Sequence, residues 1–109
     1  MNVVCVTGQL TQEPELRPQS EAPHACALHV AVPRRAPGGF RETGVVYVEV
    51  LVIGGLAARD WAERLTRGNR IAVFGALDSE VECGEDGRRE ERQRVVADAI
   101  ETLDPATPR

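Results

Sequence analysis

Val45 to Leu77, VVYVEVLVIGGLAARDWAERLTRGNRIAVFGAL, is the stretch whose reading decides the fold. Val45 to Ile53 holds five Val in nine residues, and so many β-branched side chains favour a pleated strand over a helix. Gly54 and Gly55 end that strand. From Leu56 to Arg67, Ala57, Trp61 and Leu65 recur four apart, which predicts the buried face of one short helix, and Gly68 stands where a left-handed C-cap is expected. Ile71 to Leu77 then resumes strand. The order is strand, plug helix, strand, in a chain otherwise rich in Val.

Working outward, Asn2 to Leu10 reads as a first strand punctuated by Gly8, and Thr11 to Arg17 (TQEPELR), with Pro14, as a turn or bulge. Gln19 to Pro23 reads as a loop. Ala25 to Val32 is a strand with Cys26, Leu28, Val30 and Val32 on one face and Ala25, Ala27, His29 and Ala31 on the other. Pro33 to Thr43 (PRRAPGGFRET) is expected to be a long mobile hairpin loop. Ala76 to Cys83 continues the fourth strand, Gly84 to Gly87 (GEDG) is a hairpin tip, and Arg88 to Ala97 returns as strand, with Asp98 to Leu103 pairing onward or curling into a turn. The expected fold is all-β, an OB-fold five-stranded barrel with one short helix between strands 3 and 4. It fills one domain, residues 1–104, with 105–109 expected to be a disordered end.

A chain of 109 residues supports one core and no second domain. It has no long apolar run and no signal-peptide start, so a soluble cytoplasmic protein without membrane contact is expected. Cys5, Cys26 and Cys83 are odd in number and lack C-x-x-C spacing, which argues against a disulfide framework and a zinc site; they read as small buried hydrophobes. All thirteen basic residues are Arg, planar cations that stack on bases, while the net charge of -4 argues mildly against a nucleic-acid partner. The acid excess is local. Residues 1–75 carry eight Arg against seven acids, residues 76–94 four against seven, and the last fifteen one against three.

Metal and catalytic chemistry lack their parts. His24 and Cys26 share a strand face, but His29 points the opposite way, so the three do not converge on one ion. Asp78, Glu80 and Glu82 share a face and read as a solvated strand surface rather than a Mg²⁺ or Ca²⁺ site. With two His, no Lys, no G-x-S-x-G and no phosphate-loop spacing, neither an enzyme nor a cofactor is expected. For a nucleic-acid surface the parts are cations and exposed rings. Arg34, Arg35 and Arg41 around Phe40 make the best patch. Tyr47 shares a face of the third strand with Glu49, Leu51 and Ile53; it is a stacking platform if that face is outward and core if it is inward. Trp61 reads as core, and Phe74, on the face of the acidic residues, as a subunit contact.

These residues resemble a family, the bacterial single-stranded DNA-binding proteins. NVVCVTGQLTQEPELR is similar to its opening strand and L-T-x-x-P-E-L-R turn, ALHVAVPRR to its second strand and YVEVLVIG to its third. LAARDWAERLTRGNRIAVFGAL is similar to its helix and following strand, and DGRREERQRVVADAIETLD to its last hairpin. The resemblance, from about Asn2 to Asp104, implies an OB fold, a homotetramer built as a dimer of dimers with the first strand at a subunit edge, and non-specific wrapping of single-stranded DNA in replication, recombination or repair. It places Tyr47 and Ile53 at the family's base-stacking positions and Arg34 and Arg35 at basic positions of the long loop. Arg17, Arg88, Arg89 and Arg92 are expected phosphate contacts.

There are departures. Ile53 has no ring, Glu82 stands where many relatives have Trp, Asp78 and Glu80 where many have Arg, and Pro33 replaces a usual Asn. At about 1–3 kcal/mol per stacked ring, two lost platforms and added acids imply binding weaker by powers of ten per site, partly recovered by multivalent wrapping. The family's long linker and acidic tip do not follow Asp104, so recruitment of other proteins through such a tail is not expected. The other expectation, from the acids of the fourth strand and Phe74, is a degenerate OB-fold oligomer that binds a protein partner instead of DNA.

Overall fold

The computed structural model describes residues 1–17, 24–39 and 42–104. The elements are β1 (Val4–Leu10), β2 (Glu15–Arg17), β3 (Ala25–Arg35), β4 (Glu42–Ile53), α1 (Gly55–Arg64), β5 (Arg70–Cys83) and β6 (Arg89–Thr102). The sheet order is β1-β5-β6-β4-β3-β2, and a further β1–β3 pairing closes β1, β5, β6, β4 and β3 into a five-stranded barrel. Short β2 adds to the outside of β3, so the expected OB barrel stands with its helix between β4 and β5. Among the described residues only β4 and β6 run parallel; the other pairings are antiparallel.

The inside of the barrel follows from the two-residue period. Leu10 of β1, Cys26, Leu28 and Val30 of β3, Val50 and Val52 of β4, Ile71 and Val73 of β5, and Val95 and Ile100 of β6 form one buried cluster. Closure depends on a residue without a side chain. A Cβ at Gly8 would lie 2.4 Å from the Ala31 carbonyl oxygen and 2.6 Å from Val30 Cγ1, so β1 reaches β3 only because position 8 is glycine. Past that point Gln9 pairs with Ala31 and Leu10 with Val30.

Helix α1 plugs one end, but not with the expected stripe. Ala58 and Leu65 are fully buried, Trp61 and Ala62 pack against the core, and Ala57 is exposed. The buried positions thus follow the 3, 4, 7 spacing of a helix face rather than a strict repeat of four. Trp61 is half-buried, with the Arg64 guanidinium 4.4 Å from its ring centroid. The helix also ends earlier than Arg67. Leu65 is extended, and Asn69 Oδ1 accepts from the Thr66 amide at 2.8 Å, a side-chain turn that competes with continued helix. Gly68, at φ +94, serves this turn and donates to the Leu10 carbonyl rather than capping the helix.

Three other expectations change. Glu15–Arg17 is not merely a turn but pairs with Ala25–Ala27. The segment from Pro33 to Thr43 is mostly hairpin: β3 runs to Arg35, and β4 starts at Glu42, with a bulge between Pro33 and Arg35. Beyond the β1 contact β3 has a paired strand on one side only, so the missing N–H of Pro33 is tolerated there. Cys26 is buried as expected, whereas Cys5 and Cys83 are exposed. The Gln19 to Pro23 loop, Phe40, Arg41 and the end 105–109 lie outside the described residues.

Candidate nucleic-acid interface

The register of β3 against β4 settles which way Tyr47 points. Val48, Val50 and Val52 face the core, so Val45, Tyr47, Glu49, Leu51 and Ile53 form the outer face. Tyr47 lies opposite Ala31, whose methyl group covers little of a ring, and is 75% exposed. Ile53 lies opposite Ala25 and is half-exposed. The two are six residues apart on one strand, about 20 Å at the usual rise. Between them, Leu51, paired with Ala27 on one side and Val96 on the other, is buried.

Arg17 reaches onto this face from β2. Its Nη1 donates to Glu49 Oε1 at 3.0 Å, and its Nε lies 3.6 Å from Glu15. Burial works against the charge, but attraction and hydrogen bonding from Glu49 and then Glu15 outweigh it, and the guanidinium pKa is raised. Arg17 is therefore a cation with its charge already engaged. Arg34 and Arg35 sit at the exposed end of β3, Arg34 at the bulge and Arg35 opposite Glu42. Arg34 is three residues past the partner of Tyr47, about 10 Å along the strand, and has no ion-pair partner among the described residues.

The remaining expected cations belong to the β5–β6 hairpin, and two of the three are paired within it. Arg88 lies 3.6 Å from Asp86, and Arg92 Nη1 donates to Glu82 Oε1 at 3.4 Å; Arg89 is exposed. A further arginine, Arg94, was not among the residues expected from sequence. It donates through Nε to Asp78 Oδ2 and through Nη1 to Glu80 Oε2, both at 3.1 Å. Its signal was present, because a tip at Gly84 to Gly87 sets residue 78 opposite 94 and residue 80 opposite 92. Arg94 also lines a cleft of about 280 Å³ together with Tyr47. The structure thus gathers Tyr47, Arg17 and Arg94 toward the β4 face, leaves Arg34 and Arg35 at its end, and sets Arg88, Arg89 and Arg92 out on the hairpin arm.

A closed barrel with a plug helix, a ring exposed on the β4 face and arginines on and beside that face defines an OB-fold binding domain. The chain belongs to the single-strand binding protein family, whose profile matches residues 1–103. It is similar to the single-stranded DNA-binding protein of Thermus thermophilus, 33% identical over 101 residues that cover 93% of this chain and 37% of that protein. It is also similar to the single-stranded DNA-binding protein of Deinococcus radiodurans, 29% identical over 94% of this chain and 34% of that protein. A third relative, single-stranded DNA-binding protein 1 of Staphylococcus aureus, is 27% identical over 96% of this chain and 67% of its own length. The chain therefore spans little more than a third of the first two. Among the described residues no helix is long and apolar enough to cross a membrane.

Proposed function

We propose that this domain binds single-stranded DNA without sequence preference, as a non-catalytic protein acting in replication, recombination or repair. The observation that carries the reading is Tyr47, exposed on the outer face of β4 opposite an alanine, where a base has free access to one ring face. The names of its relatives and the family match support the same ligand. Tyr47 is the stacking platform, Ile53 an apolar contact farther along the face, and Arg34 and Arg35 the phosphate contacts at its end; Phe40 and Arg41, outside the described residues, are also proposed as contacts. Arg17, Arg88, Arg89 and Arg92 are proposed as phosphate contacts that first give up a carboxylate or stand farther out.

Assembly as a homotetramer is part of the proposal. Residues 4–8 of β1 pair with β5 on one edge, and pairing with β3 begins only at Gln9, so among the described residues the other edge offers unpaired backbone groups. On the outer face beside it, Val3, Cys5 and Phe74 are exposed, and Cys5 and Phe74 are partners across β1 and β5. A second copy that covers this face would let one strand contact several barrels, which multiplies weak sites.

The test is anisotropy of a labelled oligo-dT at 50 mM salt, repeated at rising salt. Binding at micromolar protein or below is expected, with the logarithm of affinity falling by about 0.7 per neutralised phosphate per decade of salt. No binding at 50 mM overturns the reading. The second reading, a degenerate oligomer that holds a protein partner, draws on exposed Phe74 and the half-exposed acids of β5. It gains ground if oligo-dT fails and a lysate partner stays bound after nuclease treatment.

A further inference from the structure

Arg94 shares a cleft with the exposed ring. The cleft, about 280 Å³, is lined largely by residues of the core-facing side, Val48 and Val95 among them, and is bordered by Tyr47 and Arg94 of the outer side. Val50 is opposite Val95 in the parallel β4–β6 pair, so Arg94 is level with Glu49, two residues along from Tyr47. Glu49 is engaged by Arg17, and Arg94 turns instead to β5, where Asp78 and Glu80 each accept one of its hydrogen bonds at 3.1 Å. Neither carboxylate has another cation partner among the described residues.

A planar guanidinium that fits two carboxylate oxygens also fits two oxygens of a phosphodiester. A strand with one base on Tyr47 carries a phosphate on each side of that base. We propose that Arg94 is a phosphate contact for single-stranded DNA, held by Asp78 and Glu80 until the strand displaces them. The assignment rests on the DNA-binding reading above and concerns the same face. It makes the two acids determinants of affinity: they compete with the ligand for one cation.

The exchange has a signature in salt dependence. Neutralising a phosphate releases condensed cations from the strand. When Arg94 leaves its carboxylates, however, Asp78 and Glu80 attract cations back, so the wild-type protein shows little net release from this contact. Freed from its partners, Arg94 contributes the full increment.

The experiment compares wild type, D78N/E80Q, R94Q and the triple variant by anisotropy with labelled oligo-dT, from 50 to 300 mM salt. D78N/E80Q is expected to bind at least tenfold more tightly at 50 mM, with a salt slope steeper by about 0.7. In the R94Q background the same two substitutions gain no more than about threefold, the effect of removed repulsion, and leave the slope unchanged. D60N/E63Q on α1 removes the same charge away from the cleft and is expected to change binding less than twofold. E80Q alone, which leaves one of the two hydrogen bonds, gives an intermediate gain and serves if the double variant melts early. Equal gains with and without Arg94, or no gain at all, overturn the assignment while wild-type binding keeps the DNA reading. If no variant binds oligo-dT and wild type does not, both fall.

Discussion

The β3–β4 and β5–β6 hairpins are built alike and present opposite surfaces. Both are long antiparallel ribbons whose inner faces are mostly Val, Ile and Leu and belong to one core. On the outside, β3 sets Ala25, Ala27 and Ala31 against Ile53, Leu51 and Tyr47, a small residue across from each large one. On β5–β6, Asp78 is across from Arg94 and Glu80 from Arg92, with the Arg94 guanidinium also reaching Glu80 and Arg92 reaching Glu82. A side chain's availability is thus decided by its cross-strand partner as much as by its own chemistry. An aromatic ring opposite alanine is free for a base, whereas an arginine opposite aspartate already has its counter-charge.

The largest expected effect comes from removing the free ring. Y47A should weaken oligo-dT binding by about ten- to a hundredfold, matching about 1–3 kcal/mol for one stacked base, while Y47F, which keeps the ring, should stay within about threefold. Thermal melts should hardly move, since the side chain is 75% exposed. A sharper probe leaves the ring in place and changes its partner. A31L puts a branched side chain opposite Tyr47 and should cost about tenfold in affinity by covering the ring; unchanged binding would mean that the small partner is incidental.

The cations supply the next comparison. R34Q removes an arginine without an ion-pair partner among the described residues, and is expected to lower affinity about fivefold and flatten the salt slope by about 0.7. R92Q/E82Q removes an arginine together with the carboxylate it contacts at 3.4 Å, and is expected to change affinity less than twofold. Equal losses would show that the hairpin arm carries the strand as much as the end of β3 does.

Much of this was legible in the residues. The Val-rich strands and the helix between them follow from side-chain period and glycine placement, and the five-stranded barrel follows from their order. The orientation of Tyr47 was not, because Val45 to Ile53 is apolar on both faces and period alone does not say which is inward. The small odd-numbered residues of β3 decide it, and only the register shows that they lie opposite Tyr47, Leu51 and Ile53. Ala57 was misplaced because a repeat of four drifts around a helix of 3.6 residues per turn. The β5–β6 pairs were within reach: a hairpin tip at Gly84 to Gly87 places Asp78 opposite Arg94. Charge counts alone do not show that Asp78, Glu80 and Glu82 are paired with Arg94 and Arg92.

The smallest effect distinguishes the hairpins by their thiols. Cys26 of β3 is fully buried, and burial pushes its thiol pKa above the ordinary 9.0, because a thiolate there would lose its hydration. Cys83, at the end of β5, and Cys5 are exposed. A thiol reagent at pH 8 should therefore label Cys83 quickly and Cys26 only on unfolding, with Cys5 slowed wherever a second copy covers the β1–β5 face. The same shift gives a pH dependence. The folded protein holds the Cys26 proton more tightly than the unfolded chain does, so its contribution to stability is complete below the ordinary thiol pKa. It declines as pH rises through 9.0 toward the folded value, since only the unfolded chain gains by deprotonating. Denaturant midpoints should fall between pH 8 and 10 in wild type and fall less in C26A, measured against its own value at pH 8. Equal slopes in the two proteins would mean that Cys26 is not the group responsible, and rapid labelling of all three thiols would mean that the β3 side of the barrel opens far more readily than its packing implies.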